Sequence, residues 1–598
     1  LTRRPYFNTY YPDGSLVGVF NGQKNPIAQV NYTTDFTDSY KANFFQFFEI
    51  KFNKYLKFRA NINANFYLDK RKKLEPSLIT DEWQKQNKGY SYNYLNWNWM
   101  NEDILTYARK IKDHNFTAMV GVSAQQWRYE NETFVGMNSS TDFIYTMNAF
   151  SANLDLSATG STLTNHSMAS VFARVTYDYK GKYLFTANMR RDGSSRFAKE
   201  NKWGNFPSVA VGWNVNREPW MQNARFIDNF KIRASYGMLG NNNVALYRYQ
   251  TIIDNSGNEI VNGNPDLTWE KVKILDAGVD LSLFGQKLEV TFDWFRKVTD
   301  DMIVNVPSTP SSGLLAAPMN VGKAEVKGYE IGVGFNHSFT KDIDFSINLG
   351  YSYNKSKWLE ITNDELINGN TIYRKGHAIK EYYGYQADHL LTQDDLDFRV
   401  PIIGGYDGAT TAQLPGDIRY VDTNGDKVIT TDDRVPLGDQ DPHSVYYGNL
   451  SFRWKNLDFD MQVNGVGYVP IFYQGLISNP LDPEYGGTPQ RWHLDHWKAE
   501  NPDRNAKLPR VTTDPGNNAL LSTFWKENGA FVRIKYMQLG YNFKALAKKI
   551  HAGNFRVYVN VQNPFTFTKV ELIDPETKGT HTTYPMFKTY SVGLNVNF

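Results

Sequence analysis

Residues 56–68 read LKFRANINANFYL, and every second residue of this stretch is apolar. Successive side chains of a β-strand point to opposite faces, so a period of two predicts a strand with one apolar and one polar face. The stretch has thirteen residues. That is longer than the usual strand of about 5–6 residues and sufficient for the roughly 9–11 tilted residues with which a strand crosses a bilayer.

The same alternation recurs along the chain, at residues 171–179, 183–190, 230–238 and 345–353. Two environments produce it: a half-buried sheet on a soluble core, and a membrane barrel with lipid outside and a wet lumen inside. The strand lengths and the aromatic residues near strand ends favour the barrel. We therefore predict an all-β fold, a transmembrane antiparallel β-barrel that occupies residues 1–598.

The connections alternate between short and long. Turns are expected at residues 53–55, 180–182, 284–287, 340–342 and 455–456. Long loops rich in Gly, Asn, Asp and Pro are expected at residues 69–99, 127–168, 191–205, 239–271, 298–324, 355–445, 468–529 and 564–585. Outer-membrane barrels have short periplasmic turns and long extracellular loops. About seventeen strands are expected, from near Ala42 to a periplasmic C-terminus at Phe598, with residues 1–40 beginning in an extracellular loop.

The composition excludes several classes of function. The 65 Lys and Arg residues nearly balance the 62 Asp and Glu residues, which argues against a nucleic-acid partner. The chain has no cysteine, so disulfides and thiolate zinc sites are excluded. It contains no G-x-S-x-G, H-E-x-x-H or Walker A motif. We therefore expect that the protein is not an enzyme.

A series of motifs follows residue 189. It comprises RRDGSSRF (190–197), WGNFPS (203–208), RASYG (233–237), GNPDLTWE (263–270), NVG (320–322), KGYE (327–330), RIK (533–535), LGY (539–541), QNP (562–564) and DPE (574–576). In this order the motifs resemble those of the SusC/RagA family of TonB-dependent outer-membrane transporters.

The resemblance implies a plugged barrel of about 22 strands in the outer membrane of a Gram-negative bacterium. It also implies a SusD-like lipoprotein lid, an oligosaccharide or peptide substrate, and energy from TonB with ExbB and ExbD. Single-chain bacterial barrels have even strand numbers, so seventeen strands predict a plug-bearing N-terminal polypeptide or segment that completes the barrel. The alternative is a structural SusC-like subunit of a larger outer-membrane complex without active transport.

Residues 422–433 (DTNGDKVITTDD) are spaced like a calcium-binding loop. The candidate ligands are Asp422, Asn424, Asp426, the carbonyl of Val428, Thr430 and Asp433, because calcium prefers oxygen ligands at such intervals. Two positions depart from the EF-hand pattern: Lys427 replaces glycine, and Asp433 replaces the bidentate glutamate. Calcium would stiffen the loop at 355–445; the alternative is a solvated acidic turn.

Three further groups each have a functional and a structural interpretation. The aromatic run is a sugar-stacking platform or part of an aromatic girdle; it comprises Tyr90, Tyr92, Tyr94, Trp97 and Trp99. The lumen cations line a substrate path or pair with the plug or with carboxylates; they are Arg59, Arg174, Arg190, Lys231 and Arg233. His493 and His496 have metal-ligand spacing or serve in packing.

Overall fold

The computed structural model describes residues 8–20, 23–80, 86–150, 153–253, 259–261, 263–306, 317–397, 402–403, 413–481, 489–579 and 586–598. Within these ranges, seventeen strands form one sheet that curves into a barrel wall. They are β1 (Thr34–Lys51), β2 (Leu56–Glu75), β3 (Lys88–Ile111), β4 (His114–Met137), β5 (Gly160–Tyr179), β6 (Tyr183–Ser194), β7 (Trp203–Asn214), β8 (Ile227–Asn241), β9 (Glu270–Leu283), β10 (Leu288–Val306), β11 (Ala317–Thr340), β12 (Ile343–Glu360), β13 (Ser444–Trp454), β14 (Leu457–Val466), β15 (Phe531–Asn542), β16 (Asn554–Thr568) and β17 (Thr589–Asn597).

Each strand pairs antiparallel with the next along the chain, from β1 with β2 to β16 with β17. Among the described residues, no backbone ladder joins β17 to β1. The predicted fold class and number of strands are therefore confirmed. The first strand begins at Thr34 rather than near Ala42, because residues 34–41 carry polar side chains on both faces and show no apolar alternation.

The expected short turns are present, but several loops are shorter than expected. The predicted loop 69–99 is wrong in its bounds, since β2 continues to Glu75 and β3 already begins at Lys88. The predicted loop 127–168 is likewise reduced, and β12 extends to Glu360. After Leu68 the outward positions become Lys70 and Lys72, so the apolar signal stops while the backbone pairing continues.

The two faces of the sheet differ in polarity. Large apolar side chains on one face are exposed, for example Ile62 (50%), Val120 (54%) and Val171 (54%). The other face carries charged and amide side chains, including Arg233 and its carboxylate partners. Since apolar side chains of a barrel face lipid and polar ones face the lumen, we call these faces outward and inward.

The helices are short: α1 (Pro26–Tyr32), α2 (Ser77–Thr80), α3 (Gln393–Asp397) and α4 (Lys544–Lys549). In the described ranges, none of them has the length and apolar character needed to span a membrane.

The connections after β12, β14 and β16 pack together at the long-loop end of the barrel, and we call this unit the cap. Its buried core comprises Tyr385, Leu390, Ile418, Tyr420, Ile429, Ile471, Tyr473, Ile477, Trp497, Leu508, Trp525 and Val570. Its short strands are Glu365–Asn368, Thr371–Arg374, Glu381–Gly384 and Val435–Asp439 in one sheet, with the pairs Ala387–Leu390 and Ile418–Tyr420, Pro470–Phe472 and Lys526–Asn528, and Ile402–Ile403 and Val428–Ile429. Two further pairs lie elsewhere, Val19–Phe20 with Gln23–Lys24 and Ile252–Ile253 with Glu259–Val261.

Candidate functional site

The aromatic run of β3 divides between the two faces of the wall. Tyr94 lies opposite Asp69 on the inward face, whereas Trp97 lies opposite Phe66 on the outward face. The division follows from the odd spacing between Tyr94 and Trp97. Tyr90 and Tyr92 share the inward face with Tyr94, and Trp99 shares the outward face with Trp97. The run therefore contains two tryptophans that fit an aromatic girdle, Trp97 and Trp99. It also contains three tyrosines that face the lumen near the long-loop end of the barrel.

Rings from four adjacent strands extend the inward set. We call this set the aromatic mouth patch; it consists of Tyr67, Tyr90, Tyr92, Tyr94, Trp127, Tyr129 and His166. Tyr92 and Tyr94 lie nearly parallel with centroids 6.5 Å apart, and Tyr67 meets Tyr94 at 6.0 Å. His166 stacks on Trp127 at 4.6 Å and lies 6.0 Å from Tyr129.

This patch has the chemistry of a contact surface for amphipathic molecules. Tyr and Trp present a rigid apolar face with one polar atom, and they lose little side-chain entropy when a ligand covers them. The Lys73 ammonium lies 5.0 Å from the centroid of the Tyr90 ring and adds a hydrogen-bond donor at the edge. The patch could thus stack against sugar rings or against the side chains of a peptide.

The four inward arginines are held by neighbours on the wall. Arg233 lies among three carboxylates, those of Asp276 at 3.3 Å, Asp280 at 3.1 Å and Asp293 at 2.8 Å. Arg190 pairs with Asp192 at 2.7 Å. The remaining arginines bond amides, Arg59 to Asn61 and Arg174 to Asn188. These arginines follow the structural interpretation, and the carboxylate partners of Arg190 and Arg233 lie beside them in the sheet.

A buried polar network stiffens the cap. The Asp417 carboxylate accepts hydrogen bonds from Arg510 Nε at 2.5 Å and from the Asn518 side chain at 2.8 Å. The Asn518 backbone carbonyl accepts one from Trp525 Nε1 at 2.8 Å, and Tyr420 donates to the Asn517 carbonyl at 2.7 Å. Burial raises the pKa of the Tyr420 hydroxyl, which stays protonated and donates. Loops far apart in sequence are thereby held together.

A second network lies around Asp395 in α3. Its carboxylate accepts hydrogen bonds from the Thr392 backbone and hydroxyl at 2.8 Å each, contacts His389 Nε2 at 3.2 Å, and pairs with Arg504 at 3.1 Å. Burial alone would raise the pKa of Asp395, but the hydrogen bonds from Thr392 and His389 lower it to about 2. The carboxylate is therefore ionised and holds residues 389–395 against residue 504.

The sequence motifs near the C-terminus meet at one buried arginine. Arg533 of β15 is fully buried, and its guanidinium bonds Asp574 and Glu576 at 2.5 Å each. Its Nε also donates to the Thr566 hydroxyl at 2.9 Å. The RIK and DPE motifs thus form one ion-paired clasp, which we call the Arg533 clasp, between the wall and the loop after β16. Motif order alone did not reveal this pairing.

The motifs of the first half converge in the same way. Phe197, Phe206, Leu267 and Trp269 form one buried cluster with Val244. Each of the first four comes from one of the motifs RRDGSSRF, WGNFPS and GNPDLTWE. Trp269 Nε1 also donates to the carbonyl of residue 202 at 2.8 Å. These residues are a scaffold for the long-loop end of the wall.

Residues 422–433 form one tight turn, but the side-chain oxygens accept backbone hydrogen bonds. The Asp422 carboxylate accepts from Gly425 at 2.6 Å and Lys427 at 2.8 Å, and buried Asp433 accepts from Thr423 and Thr430. Burial opposes ionisation of Asp433, and the hydrogen bonds from Thr430 and Thr423 lower its pKa. Lys427 adopts a φ of 69°, the left-handed conformation that favours glycine.

Among the described residues, no three acidic or histidine side chains converge as metal ligands. Calcium at residues 422–433 therefore stays a prediction that would require the side-chain oxygens to turn toward an ion. The two histidines make packing contacts: His493 is buried and accepts from the Gln490 amide at 2.8 Å, and His496 Nδ1 lies 2.7 Å from the His493 carbonyl.

The family model described as "TonB dependent receptor-like, beta-barrel" matches residues 1–564. The chain belongs to this family. TonB-dependent receptor P39 of Formosa agariphila is 27% identical over 98% of the chain and 61% of its own length. TonB-dependent receptor SusC of Bacteroides thetaiotaomicron is 25% identical over 98% of the chain and 59% of its own length. The chain thus spans about three-fifths of the length of these curated relatives.

The fold matches the structure of the RagAB peptide transporter with a TM-score of 0.85 at 19% identity, covering 100% of this chain and 67% of that one. Family and fold together confirm a Gram-negative outer-membrane β-barrel of the SusC/RagA type. The long-loop end is accordingly extracellular and the short-turn end periplasmic. Membership in a receptor family also supports the expectation that the chain is not an enzyme.

Proposed function

We propose that this chain forms the barrel wall of a TonB-dependent transporter that imports oligosaccharides or peptides beneath a SusD-like surface lipoprotein. The aromatic mouth patch is the observation that supports this most directly, because it places stacking surfaces on the inward face near the extracellular end. The RagAB relative is a peptide transporter by name. The SusC relative is a TonB-dependent receptor by name.

The inward face of β1 supports the participation of a plug. Phe45 and Phe47 lie opposite Asn63 and Asn61, whose side chains face the lumen, and both phenyl rings are exposed. Apolar rings in a wet lumen are stabilised when a protein surface covers them. A plug-bearing N-terminal segment or polypeptide would supply that surface, and through it TonB with ExbB and ExbD would drive transport.

The test replaces rings of the aromatic mouth patch in the complete transporter. A Tyr92→Ala, Tyr94→Ala, Trp127→Ala variant removes inward rings, and a matched Trp97→Ala, Trp99→Ala variant removes outward rings from β3. Both are expressed in the native outer membrane and purified with their partners. Binding of a panel of oligosaccharides and peptides is then measured by calorimetry, and uptake is measured with labelled forms of the molecules that bind.

The inward variant should bind at least about tenfold more weakly, since aromatic anchors of a binding surface each contribute on the order of 1 kcal/mol or more. The outward variant should bind like the wild type. An equal loss of binding affinity in both variants, or no loss in either, would contradict the role of the aromatic mouth patch. Uptake that persists without TonB, or a complex that binds none of the panel and imports nothing, would favour the structural-subunit alternative.

A further inference from the structure

A row of three cations crosses the outward face of β10, β11 and β12. Arg296 lies directly opposite Lys327, and Lys327 lies directly opposite Lys355. Side chains in such positions have Cβ atoms about 4.5–5.5 Å apart, and like charges there are destabilising. All three side chains are exposed. We call this row the basic triplet, and its mutual repulsion indicates that an anion belongs there.

The basic triplet lies at the extracellular border of the apolar band. The next outward row toward the periplasm is Trp294, Tyr329 and Tyr353, and the Tyr329 and Tyr353 rings stack at 5.5 Å. On β11 the outward positions from Phe339 to Tyr329 are apolar or aromatic with the single exception of His337. Ten residues at about 3.3 Å each span roughly 33 Å, and a tilt of about 40° reduces this to roughly 25 Å, the height of the lipid-facing band.

Two of the three cations of this row, Lys327 and Lys355, differ from the cations of the next row toward the extracellular side, which have carboxylate partners. There, Lys273 pairs with Asp300 at 2.5 Å and Lys357 pairs with Glu325 at 3.5 Å. Glu325 also accepts from Arg296 Nε at 2.6 Å, which occupies one edge of that guanidinium. Lys327 and Lys355 form no ion pair with any described residue. The free cations are thus those nearest the lipid, at the depth of the outer-leaflet headgroups.

We propose that the basic triplet binds a phosphate group of a phosphorylated glycolipid in the outer leaflet, of the lipid A class. Arg and Lys are the side chains that recognise phosphate, by bidentate and point-charge contacts respectively. The aromatic row beneath would contact the sugar and the first methylenes of the acyl chains. The proposal concerns the lipid face of the barrel and is independent of the transported substrate.

The experiment uses the native complex in phosphatidylethanolamine nanodiscs that contain phosphorylated lipid A, dephosphorylated lipid A or neither. Native mass spectrometry counts the lipid A retained. The test variant is R296Q/K327Q/K355Q, and the control variant is K54Q/K110Q/K112Q, which removes three exposed cations near the periplasmic turns. K327R/K355R keeps the charge, and heat-modifiable gel migration verifies folding of every variant.

Retention of phosphorylated lipid A should fall about tenfold in the test variant, because three partly screened charge contacts are lost together. It should be unchanged in the control and in K327R/K355R, and wild-type protein should retain dephosphorylated lipid A as poorly as the test variant does. Retention that is equal in test and control variants overturns the proposal. Displacement of lipid A by equimolar inorganic phosphate also overturns it, since the site would then recognise free phosphate rather than the lipid.

Discussion

Arg533→Met should loosen the loop after β16 from the wall. The substitution keeps most of the buried volume but leaves Asp574 and Glu576 without their partner. Removing one member of a fully buried ion pair costs about 3–5 kcal/mol. Here the carboxylate side chains are 21% and 31% exposed, so water recovers part of that cost. We expect local opening of residues 570–579 to become easier by about 2–3 kcal/mol.

Hydrogen–deuterium exchange with mass spectrometry measures this opening in the intact membrane protein. The expected change corresponds to roughly 30- to 150-fold faster exchange in peptides covering 570–579. Lys535→Met is the matched control, because its ammonium also contacts Glu576, at 3.1 Å, but from an exposed position. An exposed pair contributes about 0–1 kcal/mol.

A third variant, R533M/D574N/E576Q, removes the three charges of the clasp and should recover part of the protection, because no carboxylate is then left without its arginine partner. The reasoning is refuted if Arg533→Met exchanges no faster than Lys535→Met, or if the triple variant exchanges faster than Arg533→Met.

Three further predictions concern the cap. Gly416→Ala should destabilise it by about 1–3 kcal/mol, because a Cβ there would lie 2.4 Å from the Trp497 ring and the residue has a φ of 89°; Trp fluorescence during denaturation is the readout. The pKa of Asp395 is about 2, below the ordinary value of 3.8, so its ionised form stabilises the cap above pH 3.8 and this contribution is lost as the pH falls toward 2. Hydrogen–deuterium exchange of residues 389–397 should therefore become faster over that pH interval in the wild type. It should not become faster in Asp395→Asn. Calcium should protect residues 422–433 from exchange, and D422N/D426N should abolish that protection; identical exchange with calcium and with chelator would contradict the calcium prediction.

The period-two pattern predicted most of the wall, because a strand in a membrane has one side in lipid and the other in water. It failed where both faces are wet. Beyond Leu68 and before Trp97, the pairing of β2 with β3 continues through residues such as Lys72 and Tyr90, which show no apolar alternation. The period-two pattern depends on a difference in polarity between the two faces of a strand. It therefore could not predict where the long strands end.

The aromatic run was recognised from sequence, but its division was missed although the signal was present. The spacing of three between Tyr94 and Trp97 puts them on opposite faces of any regular strand. By contrast, the contributions of Trp127 and His166 depend on the register between β3, β4 and β5. The Arg533 clasp depends on a contact across a span of 41 residues, and local patterns carry no information on such contacts.

The composition of the cap core has a consequence for the order in which the protein assembles. Leu390 and Val570 belong to the same buried cluster, yet the four strands β13 to β16 lie between them in the chain. Contacts at such separation form late, because the entropy of closing the intervening chain is lost before they form. The strands must first insert, carrying their connections across the membrane. The cap would then fold last, on the outside of the cell. Substitutions in its core should therefore slow folding of the cap without slowing insertion of the wall into the membrane.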